Sequence, residues 1–136
     1  MRAWILVFCA TVLLTASNSA QDGAVAKSSS TSDVTIKIEP LKLDFGSVAA
    51  GISSGPMTSI LANSGNSTVK IVDITPSGID FNETNTCAET LVAGATCQIQ
   101  VTFKPVITGA RLGVVSVMTS VSGGRPSYIV LTGVGL

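Results

Sequence analysis

Histidine is absent from the 136-residue sequence. With it go the imidazole general base, the imidazole metal ligand and the histidine-based pH switch. Aromatics are nearly as scarce. The single Trp is Trp4, and beyond residue 20 only Phe45, Phe81, Phe103 and Tyr128 remain, too few for a platform on which sugars or bases stack. Charge is sparse and balanced, with eight Lys and Arg against eight Asp and Glu. No basic surplus exists to engage a phosphate backbone, so nucleic acid is excluded as a partner. No apolar run reaches the roughly 20 residues needed to cross a bilayer, and no window of 11 or more residues carries a helical apolar stripe.

What is present begins with an address. Arg2 precedes an apolar run over residues 3–14, broken only by Thr11, and then come Thr15, Ala16, Ser17, Asn18, Ser19 and Ala20. This layout predicts a cleaved secretory signal over residues 1–20 and a protein that is secreted, periplasmic or held at the cell surface, with no membrane span after cleavage. Cys9 lies inside the apolar run without a small-residue cleavage pattern before it, so it is not read as a lipidated cysteine. Residues 21–33, with Ser28, Ser29, Ser30, Thr31 and Ser32 in succession, read as a flexible leader. Residues 34–136 then have room for one domain.

Export gives the other two cysteines their meaning. In an oxidising compartment an even pair closes, and a Cys87–Cys97 disulfide is expected. Chain-entropy arguments credit a loop this short with about 2.5–3 kcal/mol. Two sulfurs without histidine or a second pair cannot complete a tetrahedral metal site, so no metal and no cofactor are expected.

From Val34 onward Val, Ile and Thr are divided by Gly, Pro and Asn clusters, the mark of short strands and turns. Alternation is strict at Cys97, Ile99, Val101 and Phe103, whose neighbours are all polar, and recurs at Leu41, Leu43 and Phe45. Val34, Ile36 and Ile38 alternate with Thr35, Lys37 and Glu39 until Pro40 interrupts pairing. Val69 and Ile71 are in step, but Ile74 follows at a spacing of three, which predicts a bulge near Val72 and Asp73. Residues 57–62 form a strand whose inward face the pattern does not assign. Val115 and Val117 face inward, as do Ile129 and Leu131, which leaves Tyr128 and Val130 outside. Asn63, Ser64, Gly65 and Asn66 supply a tight turn, as do Ser122, Gly123, Gly124, Arg125 and Pro126. About seven strands without helical crossovers imply an all-β, antiparallel sandwich.

The series Leu43-Asp44-Phe45-Gly46, Leu61-Ala62-Asn63-Ser64-Gly65, Asp80-Phe81, Cys87 with Cys97, Val101-Thr102-Phe103-Lys104-Pro105, Thr108-Gly109 and Leu131-Thr132-Gly133-Val134-Gly135 resembles the immunoglobulin-like domains of the ASH family (abnormal-spindle and Hydin type). The likeness is nearest to the bacterial relatives called choice-of-anchor D domains, and it covers residues 41–135. It implies an Ig-like sandwich used as a binding or spacer module, in a bacterium. Independently of the family, Phe45, Phe81, Val101, Phe103 and Leu131 are large apolar residues at strand positions and read as structural core.

Catalysis is not expected. A serine nucleophile needs a base, and nothing in the sequence sets Lys27, Lys37, Lys42, Lys70 or Lys104 beside a particular serine. Asp80, Asn82, Glu83 and Asn85 offer oxygen donors suited to a hard cation, yet read more simply as a polar loop near the disulfide. Asn66-Ser67-Thr68 and Asn82-Glu83-Thr84 match the glycosylation sequon, which a bacterial route leaves unused. The reading that remains is an exported, non-catalytic module binding a protein partner through strand edges and loops. The first strand and the last are the candidate edges, and Tyr128 with Val130 is the candidate contact. A PapD-like periplasmic assembly chaperone and a structural envelope or matrix protein are the alternatives.

The exported protein is expected to have the mass of residues 21–136 less the two hydrogens lost in joining Cys87 to Cys97. Intact mass spectrometry before and after reduction reads both at once. Retention of residues 1–20 would overturn the export argument, and free thiols would overturn the pairing.

Overall fold

The structure, a computed structural model, describes residues 34–136; the signal and leader assigned to residues 1–33 lie outside the described residues. Nine strands follow one another: β1 (Ile36–Glu39), β2 (Lys42–Val48), β3 (Met57–Asn63), β4 (Val69–Ser77), β5 (Phe81–Asn85), β6 (Thr90–Leu91), β7 (Thr96–Phe103), β8 (Gly109–Thr119) and β9 (Ser127–Gly135). They form a four-stranded sheet in the order β1-β3-β7-β5 and a five-stranded sheet in the order β2-β9-β8-β4-β6. The described residues contain no helix. The fold is the all-β Ig-like sandwich.

Strands β5 and β6 are the two that alternation does not disclose. Residues 80–85, read from sequence as a polar loop, contain an edge strand instead, with Phe81 buried and Asn82, Thr84 and Asn85 exposed. A strand with one buried residue in five has no apolar period to detect. β6 is a two-residue bridge whose Leu91 reaches the core. The slip between Ile71 and Ile74 corresponds to a register shift between Ile71 and Asp73, where β4 pairs with β8.

One pairing departs from the antiparallel rule: β2 lies parallel to β9. The cause is local. Pro40 has no N–H and cannot continue the β1 ladder, so the chain leaves the smaller sheet there and enters the larger one without reversing direction. The crossing is tied on both sides, since the Ser59 hydroxyl donates to Pro40 O (2.8 Å) and Val130 N donates to Leu41 O (2.8 Å). This corrects the expectation that the last strand is an open edge. β9 is flanked by β2 and β8, so its main chain is engaged on both sides. β1, the first strand, is an edge.

The inward positions build a continuous core. Cys97, Ile99, Val101 and Phe103 of β7 face Val115 and Val117 of β8 and Ile129 and Leu131 of β9, all buried. β3 resisted assignment because its inward face is Met57, Ser59, Leu61 and Asn63, half of it polar. Burying an amide and a hydroxyl is tolerable only with hydrogen bonds. Asn63 Nδ2 donates to Ser67 O (2.7 Å) and Leu91 O (2.9 Å), and its Oδ1 accepts from Gly65 N (3.1 Å).

Phe45, Phe81 and Phe103 meet as one cluster, with ring centroids 5.0 Å apart for Phe81 and Phe103 and 5.8–5.9 Å from each to Phe45. Phe103 is fully buried, while Phe45 is half-buried against the core. The opposite sheet makes room with glycine. A Cβ on Gly133 would fall 2.5 Å from the Phe103 ring, and one on Gly113 would fall 2.5 Å from Ser77 O and 2.7 Å from the Phe81 ring.

Gly133→Ala is therefore expected to destabilise the domain by about 1–3 kcal/mol through overpacking. The readout is a lower urea midpoint with an unchanged m value. A neutral result would show that Phe103 has space to withdraw.

Candidate interaction surfaces

Among the described residues no three acidic, cysteine or histidine side chains converge as a metal site would require. Three of the four donors noted in the sequence are engaged elsewhere, and Asn82 stands exposed. Asp80 turns inward and is buried; its Oδ2 accepts from Arg111 Nε (2.7 Å) and contacts Nη2 (2.6 Å), and its Oδ1 accepts from Val106 N (2.8 Å). Asn85 Nδ2 donates to Glu83 Oε1 (2.8 Å), and Asn85 Oδ1 accepts from Cys87 N (3.0 Å). Burial alone raises the Asp80 carboxyl. The Val106 hydrogen bond, the Arg111 hydrogen bond and the Arg111 charge outweigh that, and hold it below the ordinary value of 3.8. The group is a brace for three chain segments, with both carboxylate oxygens engaged.

Cys87 and Cys97 are joined, with Cα atoms 5.0 Å apart. The bond continues the β5–β7 ladder. Asn85 pairs with Ile99, Thr86 N donates to Gln98 O (2.9 Å), and Gln98 N donates to the Thr86 hydroxyl (2.9 Å). Cys97 is buried in the core and Cys87 is half-buried beside it. The sulfurs thus serve the sheet.

The surface features that remain are faces and edges. Tyr128 and Val130 stand on the outer face of the larger sheet, 52% and 42% exposed. Period two continues along β9 to Val134, also exposed, and across the ladder to Leu112 of β8, the partner of Thr132. Half-buried Val114 and Met118 extend the apolar strip along β8. Charged and polar side chains bound it: Lys42 and Asp44 on β2, Asp73 and Thr75 on β4. Sequence reasoning found Tyr128 and Val130 but not Leu112 or Val134. Continuing the alternation two more steps from Val130 reaches Val134; Leu112 needs the cross-strand register.

The edges are less inviting. β1 is four residues long and carries an exposed Lys37–Glu39 ion pair (3.4 Å) on its outer face. β5 offers Asn82, Glu83, Thr84 and Asn85. Short, charged edge strands discourage the addition of a further strand.

The sequence matches the family described as HYDIN/CFA65/VesB-like, Ig-like domain over residues 27–133. No curated protein matches it. Among solved structures it is similar to a protein of unknown function from Porphyromonas gingivalis W83, with a TM-score of 0.63, 10% identity, and coverage of 74% of this chain and 46% of that one. It is also similar to the secreted serine protease VesC of Vibrio cholerae, with a TM-score of 0.58, 18% identity, and coverage of 76% and 23%. The ASH/PapD-like domain 7 of human CEP192 gives a TM-score of 0.57 at 14% identity, covering 88% of this chain and 98% of that domain. The chain spans less than half the length of the first two. At these identities the likeness concerns the fold alone.

Asp80→Asn is expected to cost about 2–4 kcal/mol at pH 7, because it leaves the Arg111 guanidinium without its counter-charge. A carboxyl lowered by folding adds stability that is complete above its unfolded value, about 3.9, and fades as pH falls through the folded value. The gap between wild type and variant in urea unfolding should therefore narrow below about pH 4. A gap that stayed constant to acid pH would assign the loss to packing.

Proposed function

Since the chain belongs to the HYDIN/CFA65/VesB-like Ig-like domain family, we propose that it is an exported, non-catalytic module whose task is to hold a protein partner. The observation that carries this reading is the apolar strip of Leu112, Tyr128, Val130 and Val134 on an otherwise polar sheet face. An aromatic amphipathic anchor among aliphatic residues, ringed by charges, is the make-up of a protein contact. The absence of histidine argues against a protease triad here, whatever larger relatives do with the same fold. The Cys87–Cys97 bond and the secretory layout of residues 1–20 both support life outside the cytosol.

The contact lies on the face and the adjoining loops more than on the last strand's edge, which β2 occupies. Substituting Tyr128→Lys together with Val130→Glu changes exposed side chains only, so stability should move by less than about 0.5 kcal/mol each. The partner is captured from the exported fraction, purified, and titrated against both proteins. The double variant is expected to weaken binding at least about ten-fold, the loss of one aromatic anchor. An unchanged affinity would move the contact elsewhere. A pilus-like client would favour the assembly chaperone, and self-assembly without a partner the structural protein.

A further inference from the structure

The β2–β3, β4–β5 and β7–β8 connections, residues 49–56, 78–80 and 104–108, meet at the end of the sandwich where β9 finishes. Ile52, Ile79, Val106 and Ile107 stand on them exposed, Ile79 by 82%. Loop tips are ordinarily polar, so four aliphatic side chains gathered on turns need a reason. An open cavity of about 450 Å³ lies among them, lined by Ile79, Phe81, Pro105 and Val106 with Lys104.

Two properties narrow the occupant. First, the connections are braced internally and to one another, mostly through main-chain groups. Gly51 N donates to Pro105 O (2.8 Å), Lys104 N to Asp80 O (2.7 Å), Val106 N to Asp80 Oδ1 (2.8 Å), Ile52 N to Ala49 O (3.0 Å) and Ser54 N to Phe103 O (2.8 Å). Donors tied up in this way are lost to a partner that reads backbone, and they enter an apolar medium without the cost of unsatisfied groups. Second, the charge is one-sided. Asp80 is buried against Arg111, which leaves Lys104 as the exposed charged side chain on these three connections, and it joins no ion pair among the described residues. Aliphatic tips with no exposed aromatic anchor and a single lysine suit hydrocarbon beneath anionic headgroups better than a protein hot spot, which favours Trp, Tyr and Arg.

We infer that this end of the domain docks on a lipid surface bearing anionic headgroups, with Ile52, Ile79, Val106 and Ile107 at the acyl boundary and Lys104 among the headgroups. The site is centred away from Tyr128, although Leu112 and Val134 of that strip adjoin this end. Tyr128 and Leu136 lie near opposite ends of β9, roughly 25 Å apart at about 3.3 Å per residue.

The test is co-sedimentation of the mature exported protein with vesicles of phosphatidylcholine alone or with roughly one third phosphatidylglycerol, a content at which basic residues gain affinity. Binding is expected on the mixed vesicles and should weaken with added salt. Ile79→Asp with Ile107→Asp should reduce it at least about ten-fold, the effect of two aliphatic side chains withheld from the interface. Lys104→Gln should reduce it about five-fold on the mixed vesicles and leave phosphatidylcholine unaffected. Urea midpoints close to wild type establish that the variants fold. Absence of binding to either vesicle, or binding indifferent to the Ile79/Ile107 pair, overturns the inference. So does a pair of variants that loses the protein partner while keeping the vesicles, which would make this end part of the protein contact. Partner binding that survives when vesicle binding is absent sinks this inference alone.

Discussion

The spacing of the two sheets rests on aromatic rings set against bare backbone. Phe81 and Phe103 project from the smaller sheet, and the strands that receive them carry Gly113 and Gly133 where a side chain would otherwise stand. Close packing of an interior leaves no slack for a methyl group there. The arrangement also brings scattered motifs together. Phe45, Asp80-Phe81, Phe103 and Gly133 come from four separate stretches of sequence and meet at one cluster, and Arg111, the cross-strand neighbour of Gly133, closes its end by pairing with Asp80. The ion pair and the rings are one construction: the residue that anchors the guanidinium immediately precedes a ring of the stack.

Much of this architecture was legible beforehand because a half-buried strand writes its orientation into every second residue. β7, β8 and β9 carry that pattern plainly, and the slip at Ile71 located the β4 bulge. What stayed hidden has physical reasons. β5 buries only Phe81 and so has no period, and β3 hides its inward face by burying Ser59 and Asn63. The engagement of β9 by β2 is a pairing of residues some 88 positions apart, from Lys42 to Val130, which no local pattern announces. The Asp80–Arg111 pair is likewise invisible to spacing, and so is the reason for glycine at positions 113 and 133.

Exposed apolar side chains gather on one face and at one end of the sandwich. Of the edge strands, β1 and β6 are short and β5 is polar, so main-chain recognition has few places to begin on them. Side-chain recognition has more: an aromatic-bearing strip on the larger sheet, and aliphatic tips held by cross-braced loops at one end. Loops braced in this way lose little conformational freedom on contact.

The change of sheet at Pro40 has a mechanical corollary. Because β2 runs alongside β9 in the same direction, a pull that drags the amino-terminal side one way and the carboxyl-terminal side the other slides these two strands lengthwise. Their hydrogen bonds then carry the load together rather than parting one after another. Placed in line between a tether and a cargo, the domain would resist tension as a shear-loaded clasp.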